Sequence, residues 1–317
     1  MVNVYIALIS NSSRGFDLSQ YNEVINLFNI QYPNNGLIIE KYLIDGSIEQ
    51  INQTLNSFIE KYPLGKRVTI SNTSDILTGC SNYMINNNLD ILNLSLTATS
   101  NYIQTLQNVI TYAPFSQFSV MSIFLLFTDY QMNEICILYD KSTDNDLFFN
   151  DFLNQINIQA ILLNVNVTIH TLQSNKSNYN INSKSLIIML STTYNLTNIY
   201  VTNKFLNYIP NDCFIVLTNI DNSIKDIFQN VPTLVIYPTS INYTITTHQV
   251  YNAVKNNPSG YDYSSYTLYD IIFVLNDFTT NNIPITKNNF ITINPFNDIQ
   301  PAWLLNTYIN SNINGVP

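Results

Sequence analysis

Short apolar runs alternate with longer segments of helical periodicity along most of the chain, and this alternation is the feature that most limits its fold. Runs of β-branched and aromatic residues between turn residues are typical of strands, whereas an apolar residue every three to four positions is typical of a helix. Strands that alternate with helices form parallel sheets, so the pattern predicts an α/β fold. The first strands are predicted at residues 4–10, 37–44, 67–71 and 91–96, and the first helices at 18–31, 47–62 and 74–86.

A second series of the same kind follows the first, so the sequence predicts two lobes, each with a parallel sheet flanked by helices. The length of 317 residues exceeds the ~250–300 residues at which a single core stops growing, which agrees with that division. The second series is predicted to contain strands at residues 134–139, 161–171, 185–190 and 213–218, and helices at 116–130, 144–156, 195–208 and 223–229.

Two extended segments separate the series and predict where the chain passes between the lobes. Residues 109–115 and 233–239 carry Pro114 and Pro238, and proline is disfavoured in the middle of a sheet. We therefore expect both segments to be crossovers. Further helices are predicted at 246–256 and 265–279, ahead of irregular chain. The predicted lobes comprise residues 1–113 with 240–284, and residues 114–239 with 285–317.

Two serines stand where predicted helices begin. Ser47 and Ser74 each precede a segment of helical period, and a serine hydroxyl there accepts a backbone N–H that the helix leaves unbonded. Gln50 follows Ser47 by three positions, which is the spacing of a capping box. We expect both serines to be N-caps.

The charge of the chain is low and negative. The 21 acidic and 12 basic residues give a net charge of −9, and charged residues make up only 10% of the sequence. Nucleic-acid binding needs a basic surface and is not expected. Lysine is scarce although its codons are as A/T-rich as those of the abundant Asn and Ile. Either this is drift, or the surface packs against copies of itself, where Lys and Glu are disfavoured.

Self-association would make the protein a homo-oligomer or part of a larger assembly. The stretch 281–317 is the predicted contributor, because it carries several aromatic residues, including the only tryptophan, Trp303, in chain that is otherwise irregular. The alternative is that Trp303 packs back onto the second lobe.

No targeting or membrane segment is predicted. The sequence lacks a basic segment followed by an apolar run and a cleavage site, so no signal peptide is expected. The apolar stretch around residues 123–127 is far shorter than the roughly 18 residues of a membrane helix. We expect a cytoplasmic or particle-associated protein, for example in a virion, rather than a periplasmic one. Three cysteines without C-x-x-C spacing, Cys80, Cys136 and Cys213, predict buried thiols rather than disulfides or a zinc site.

Catalytic motifs are missing from the sequence. It has two histidines, His170 and His248, and neither a strained serine turn, a phosphate loop nor a dinucleotide-binding glycine pattern accompanies them. A carboxylate cluster at Asp140, Asp144 and Asp146 lacks the glycine and terminal glutamate of a calcium loop, so we expect an acidic turn that caps a helix. The predictions are no enzyme activity, no cofactor and no metal.

Several fragments are similar to one family of binding proteins. Residues 97–101, Thr-Ala-Thr-Ser-Asn, follow the fourth predicted strand, where that family commonly has a stretch like G-A-T-S-P. Together with residues 67–74, 134–140 and 265–271 and the order of elements over residues 2–281, this segment resembles the type I periplasmic binding proteins. These are receptors of ABC importers for branched-chain amino acids, amides and urea. The resemblance implies a two-lobed fold that binds a small polar ligand without catalysis.

In such a fold the ligand site would lie where parallel strands end, because loop hydroxyls and helix N-terminal amides converge there. On the first lobe this argument selects Asn72, Thr73, Ser74, Thr97 and Thr99. The alternative for each residue is an ordinary cap or loop residue. The residues selected on the second lobe are Lys141, Tyr194, Asn219 and Asp221.

Two functions are therefore open. One is a non-enzymatic, solute-binding-like protein that closes two lobes on an amino acid, amide or urea, with Asp221 as the candidate partner of a ligand amine. The other is a structural, self-assembling protein, for example of a virus particle, that retains the fold without a ligand.

Overall fold

The computed structural model describes most of the first half of the chain and several segments of the second. The helices predicted at 195–208, 223–229 and 246–256 lie outside the described residues. The described residues are 3–12, 18–96, 98, 100–111, 116–140, 147–172, 179–190, 209–217, 233–238, 263–293 and 303–308.

The strands and helices of the described residues follow the predicted order, with three further strands at Val109–Thr111, Thr233–Pro238 and Trp303–Tyr308. The strands are β1 Val4–Asn11, β2 Leu37–Ile44, β3 Lys66–Ser71, β4 Leu92–Ser95, β5 Val109–Thr111, β6 Glu134–Asp140, β7 Asn166–Leu172, β8 Ser185–Leu190, β9 Phe214–Leu217, β10 Thr233–Pro238 and β11 Trp303–Tyr308. The helices are α1 Ser19–Gln31, α2 Ile48–Lys61, α3 Ser74–Asn86, α4 Ser116–Asp129, α5 Leu147–Leu163, α6 Tyr263–Thr280 and α7 Lys287–Ile293. Among the described residues, none of these helices is both long and apolar enough to cross a membrane.

The chain divides into two compact units. The first comprises Met1–Pro114 with Ser240–Ala302, and the second comprises Phe115–Thr239 with Trp303–Pro317. Each unit has one sheet, so the predicted fold class, two parallel sheets flanked by helices, is confirmed.

The first unit has a parallel sheet in the order β2-β1-β3-β4-β5, and β1 shows how its core is built. Successive side chains of a strand point to opposite faces. Val4, Ile6 and Leu8 of β1 are buried against α1 and α6, whereas Ala7 and Ile9 are buried against α2 and α3. The sheet is thus covered on both faces, which is why β1 in its middle is almost continuously apolar.

The last helix of the first unit corrects the predicted assignment of residues 285–317. Phe290 of α7 is fully buried in the same core as α6, and its ring centroid lies 5.6 Å from that of Phe278. Residues 285–293 therefore pack in the first unit, whereas they were predicted in the second lobe. Their mixture of Asn, Thr and Ile concealed a helix of only two turns.

The second unit has a sheet in the order β11-β10-β9-β8-β6-β7. Its strands are parallel except β11, which pairs antiparallel with β10. The segment 233–239, predicted as a crossover only, contains β10, and the stretch predicted as irregular chain contains β11. Trp303 lies opposite Pro238 in this pairing, at the end of the strand, where the missing proline N–H costs little.

Helix α5 is longer than predicted. The run Ile161-Leu162-Leu163 was assigned to a strand, yet it forms the last turn of α5. Asn164 then adopts a left-handed φ of 53°, and the N–H of Val165 donates to the carbonyl of Ala160 at 2.9 Å. This is the Schellman geometry that ends many helices, with asparagine in the position usually held by glycine.

Candidate functional site

The carboxyl edge of the first sheet, where β1, β3 and β4 end, is lined by small polar side chains. Parallel strands all end at the same edge, so the residues that follow them converge there. Ser10 and Asn11 end β1, Ser71 ends β3, and Ser95 ends β4. All four residues are buried.

The turn from β3 to α3 brings the start of a helix to this edge. Thr73 is extended, with φ −135°, and its hydroxyl accepts from the N–H of Ile76 at 3.4 Å. Thr73 is therefore the N-cap, and Ser74, predicted for that role, is the first residue of the helix. The predicted cap at Ser47 is confirmed, because its hydroxyl accepts from the N–H of Gln50 at 3.3 Å. The first amides of α3 carry the positive end of the helix dipole at the edge.

Asn72 and Ser74 also have structural partners. The side-chain oxygen of Asn72 accepts from the N–H of Asn11 at 3.3 Å, which ties the ends of β1 and β3 together. The hydroxyl of Ser74 accepts from the N–H of Ser100 at 3.3 Å, which fixes the loop after β4. Both residues are almost fully buried, so the structure brings them to the predicted edge as parts of its framework.

Ser95 shapes the loop in which two predicted site residues stand. Its hydroxyl donates to the carbonyl of Ser71 at 3.2 Å and accepts from the N–H of Ala98 at 2.9 Å. Thr111 donates its hydroxyl to the carbonyl of Ala98 at 2.6 Å. Ala98 is thereby held through both its N–H and its carbonyl oxygen.

Two buried hydroxyls at the edge are not used by the framework. Ser10 and Ser71 are 0% and 1% exposed, and neither hydroxyl has a hydrogen-bond partner in the described part of the chain. A buried polar group without a partner costs about 1–3 kcal/mol, so folded proteins rarely keep one without a use for it. Neither residue was predicted as a site residue, although each is a serine that follows a buried apolar residue near the end of its strand.

The corner beside this edge is closed by a glycine. Gly46, between β2 and α2, has a φ of 83°, and a Cβ there would lie 2.6 Å from the side-chain nitrogen of Asn11. The neighbouring Asp45 accepts from the N–H of Ser47 at 2.8 Å and from the side chain of Gln50 at 3.0 Å. The hydrogen bond from Ser47 lowers the pKa of Asp45, so this carboxylate is already engaged in capping α2.

Metal and nucleophile chemistry finds no support in the described segments. They contain no group of three His, Cys, Asp or Glu residues that could hold a metal ion. The three cysteines are free and buried, as predicted, and burial raises the pKa of Cys80 and of Cys136 to about 12. Such thiols stay protonated and unreactive at neutral pH.

Several solved structures are similar to this chain in fold, although their sequences differ widely from it. No family model matches the chain, and no curated protein matches it. The leucine-binding protein LivK of Thermotoga maritima has a TM-score of 0.64 at 13% identity, over 88% of this chain and 83% of that chain. A solute-binding protein of an ABC transporter from Rhodopseudomonas palustris, in complex with 3,4-dihydroxybenzoic acid, has a TM-score of 0.68 at 11% identity, over 91% and 84%. The substrate-binding protein LivJ of Streptococcus pneumoniae, in complex with isoleucine, has a TM-score of 0.63 at 8% identity, over 87% and 83%.

The chain has the type I periplasmic-binding-protein fold. At these identities the likeness shows the fold alone. The resemblance stated from residues 97–101 and the order of elements is thereby confirmed at the level of fold.

The type I periplasmic-binding-protein fold of this chain carries three of the predicted site residues in its described part. Asn72, Thr73 and Ser74 all lie at the carboxyl edge of the first sheet, as expected. The remaining site predictions lie outside the described residues and stay predictions: Thr97, Thr99, Lys141, Tyr194, Asn219 and Asp221.

Proposed function

We propose that the protein binds a small polar molecule at the carboxyl edge of the first sheet and catalyses no reaction. The observation that carries this proposal is the buried hydroxyl of Ser71, which has no hydrogen-bond partner in the described part of the chain and lies on the face of the sheet that α3 covers, just before the first turn of that helix. A ligand that accepts hydrogen bonds would satisfy this hydroxyl and would face the helix amides at the same time.

A carboxylate is the ligand group that fits this edge best. Hydroxyls and helix N-terminal amides stabilise a negative charge without a cationic side chain. The ligands named with the solved structures are leucine, isoleucine, 3,4-dihydroxybenzoic acid and 4-hydroxybenzoate, and each of them has a carboxyl group. Amides and urea, which the sequence analysis included, offer a carbonyl oxygen but no negative charge. Asp221 remains the proposed partner of a ligand amine.

The first experiment is a thermal-shift screen with leucine, isoleucine, 4-hydroxybenzoate, leucinamide and urea. A molecule that binds only the folded protein raises the melting temperature with the logarithm of its concentration. We expect a carboxylic acid to raise it and the matching amide to raise it less. A screen in which every compound leaves the melting temperature unchanged would contradict the proposal.

The second experiment locates the site by calorimetric titration of the acid found in that screen. Ser71→Ala should weaken its binding about tenfold, because one hydrogen bond to a charged group is lost. Ser81→Ala is the matched control: Ser81 is also a buried serine, but it lies further along α3, away from the edge. Equal affinity in both variants would move the site elsewhere.

The assembly alternative gains nothing from these comparisons. The solved structures named above are binding proteins, and none of them is described as a particle protein. The expected location in a cytoplasm or particle stays a prediction.

A further inference from the structure

The outer edge of the second sheet carries an apolar patch that no part of the proposed binding function uses. Ile161 and Leu162 at the end of α5 are 81% and 71% exposed, and Ile169 of β7 is 46% exposed. Single exposed apolar residues are common, whereas a cluster on one surface marks an interaction site. We call this cluster the β7 patch; it consists of Ile158, Ile161, Leu162, Leu163 and Ile169.

The strand in this patch is an open edge. In the described residues β7 pairs with β6 only, so the backbone groups on its other side have no strand partner. Edge strands are normally protected by charged side chains or proline, and the sequence of β7, NVTIHTL, has neither Asp, Glu, Lys, Arg nor Pro. An unprotected edge of this kind is suited to pairing with another strand.

Helix α5 lies on the same face of the sheet as the exposed isoleucine. Ile169 is opposite Ile137 in the pairing of β7 with β6, and Ile137 belongs to the core that α5 covers. An open depression of about 610 Å³ separates the end of α5 from β7. Its lining residues are Asn157, Ala160, Ile161, Asn164, Val165 and Val167. Helix end, depression and strand edge therefore form one continuous surface.

Charge decides which partner fits this surface. Residues 152–175 contain no Asp, Glu, Lys or Arg, although the whole chain has a net charge of −9. When two copies of a chain meet about a two-fold axis, every charged residue near the axis faces the same charge on the other copy. A neutral surface avoids this repulsion in an acidic protein, and none of the residues of the β7 patch is charged.

We propose that the β7 patch binds a second copy of this chain, with the two β7 strands antiparallel about a two-fold axis near Ile169. The central residue of β7 is Ile169, so this axis pairs the backbone donors on the free side of the strand with acceptors of the copy. An axis perpendicular to the sheet also keeps both α5 helices on one face. There Ile161 and Leu162 are covered by the α5 helix of the other copy. The dimer joins two second units and is independent of the proposed ligand site.

The first test is the solution mass by size-exclusion chromatography with light scattering. We expect twice the chain mass of 36.3 kDa for the natural sequence. Ile169→Lys should raise the dissociation constant on the order of a hundredfold, because it sets two like charges together at the axis. Leu64→Lys is the control, since Leu64 is 99% exposed but lies in the first unit. If Ile169→Lys does not fold, Leu162→Lys on α5 is measured in its place, and the same increase in the dissociation constant is expected.

The second test is a disulfide crosslink. Ile169→Cys provides an exposed thiol in a protein whose own three cysteines are buried, so mild oxidation should link two chains rapidly. Leu64→Cys should link slowly, by random collision only. A natural chain that is monomeric at about 100 µM, or a dimer that Ile169→Lys and Leu162→Lys leave intact, would overturn the proposal. If the natural chain is monomeric and sediments with phosphatidylcholine vesicles, the β7 patch binds a membrane surface instead of a second copy.

Discussion

Replacing Ser71 with alanine should make the ligand-free protein more stable, which is an unusual result for a buried polar residue. The hydroxyl of Ser71 loses its contact with water on folding and gains no hydrogen bond from the described chain. The penalty for burying such a group is about 1–3 kcal/mol, and alanine removes it at the cost of a void the size of one oxygen atom. We expect the free energy of unfolding to rise by about 1 kcal/mol.

The neighbouring serine provides the contrast. The hydroxyl of Ser95 makes two hydrogen bonds, to the carbonyl of Ser71 and from the N–H of Ala98. Ser95→Ala leaves the buried N–H of Ala98 without that acceptor, so the free energy of unfolding should fall by about 1–3 kcal/mol. The same substitution, in two serines at the ends of adjacent strands, should thus act in opposite directions.

The assay is equilibrium urea unfolding without ligand, followed by far-UV circular dichroism and by tryptophan fluorescence. Circular dichroism reports both units, whereas Trp303 belongs to β11 and reports the second unit. A change in midpoint at constant slope measures the change in stability. A loss of 1 kcal/mol or more in Ser71→Ala would show that its hydroxyl is bonded in the free protein, and the argument for a ligand at this edge would fail.

Three further predictions concern other parts of the fold. Burial raises the pKa of Glu40, but hydrogen bonds from Lys61, Tyr42 and Tyr62 outweigh burial and lower the pKa from 4.5 to about 2. The charged form of Glu40 is therefore favoured in the folded protein, and Glu40→Gln should lower the stability at neutral pH. In thermal melts the difference in stability between the variant and the natural protein should shrink as the pH falls from 4.5 towards 2. Gly46→Ala should lower stability by more than about 1 kcal/mol in urea, because φ is positive there and the side chain of Asn11 is too close; no change would mean that the turn relaxes freely. Deleting residues 303–317 should lower the stability of the second unit, since β10 loses its antiparallel partner, and should leave self-association unchanged. Loss of the dimer in a folded deletion variant would support the interface first predicted for residues 281–317.

The fold was predictable because its signals are local. Ile6 and Leu8 of β1 lie in a short apolar run, and the serine and glutamine at the start of α2 stand at the spacing of a capped helix. β11 was not predictable from its own residues, because WLLNTY becomes a strand only through pairing with β10. The prediction of where α5 ends was wrong for a related reason. An exposed apolar run such as Ile161-Leu162-Leu163 has the composition of a strand even when it is helical.

The candidate site was predictable in part. The position of Asn72, Thr73 and Ser74 follows from the rule that parallel strands end together, which needs only the strand order. The sequence does not show which serine hydroxyls form hydrogen bonds within the fold, since Ser71, Ser74 and Ser95 have the same chemistry. Only the hydrogen bonds in the structure distinguish Ser74 and Ser95, which hold the loop after β4, from Ser71, whose hydroxyl has no partner in the described chain.

The return of late chain segments to both sheets has a consequence for synthesis on the ribosome. The core of the first unit requires α6 and α7, through Phe278 and Phe290, and the sheet of the second unit requires β11. While residues 1–240 are being translated, one face of the first sheet lacks those helices. β10 also lacks its antiparallel partner until β11 has been made. Neither unit can therefore finish folding as it emerges. A nascent or prematurely terminated chain would leave part of the apolar surface of both sheets uncovered until residues 263–308 have been made, and exposed apolar surface of this kind makes a chain prone to aggregate.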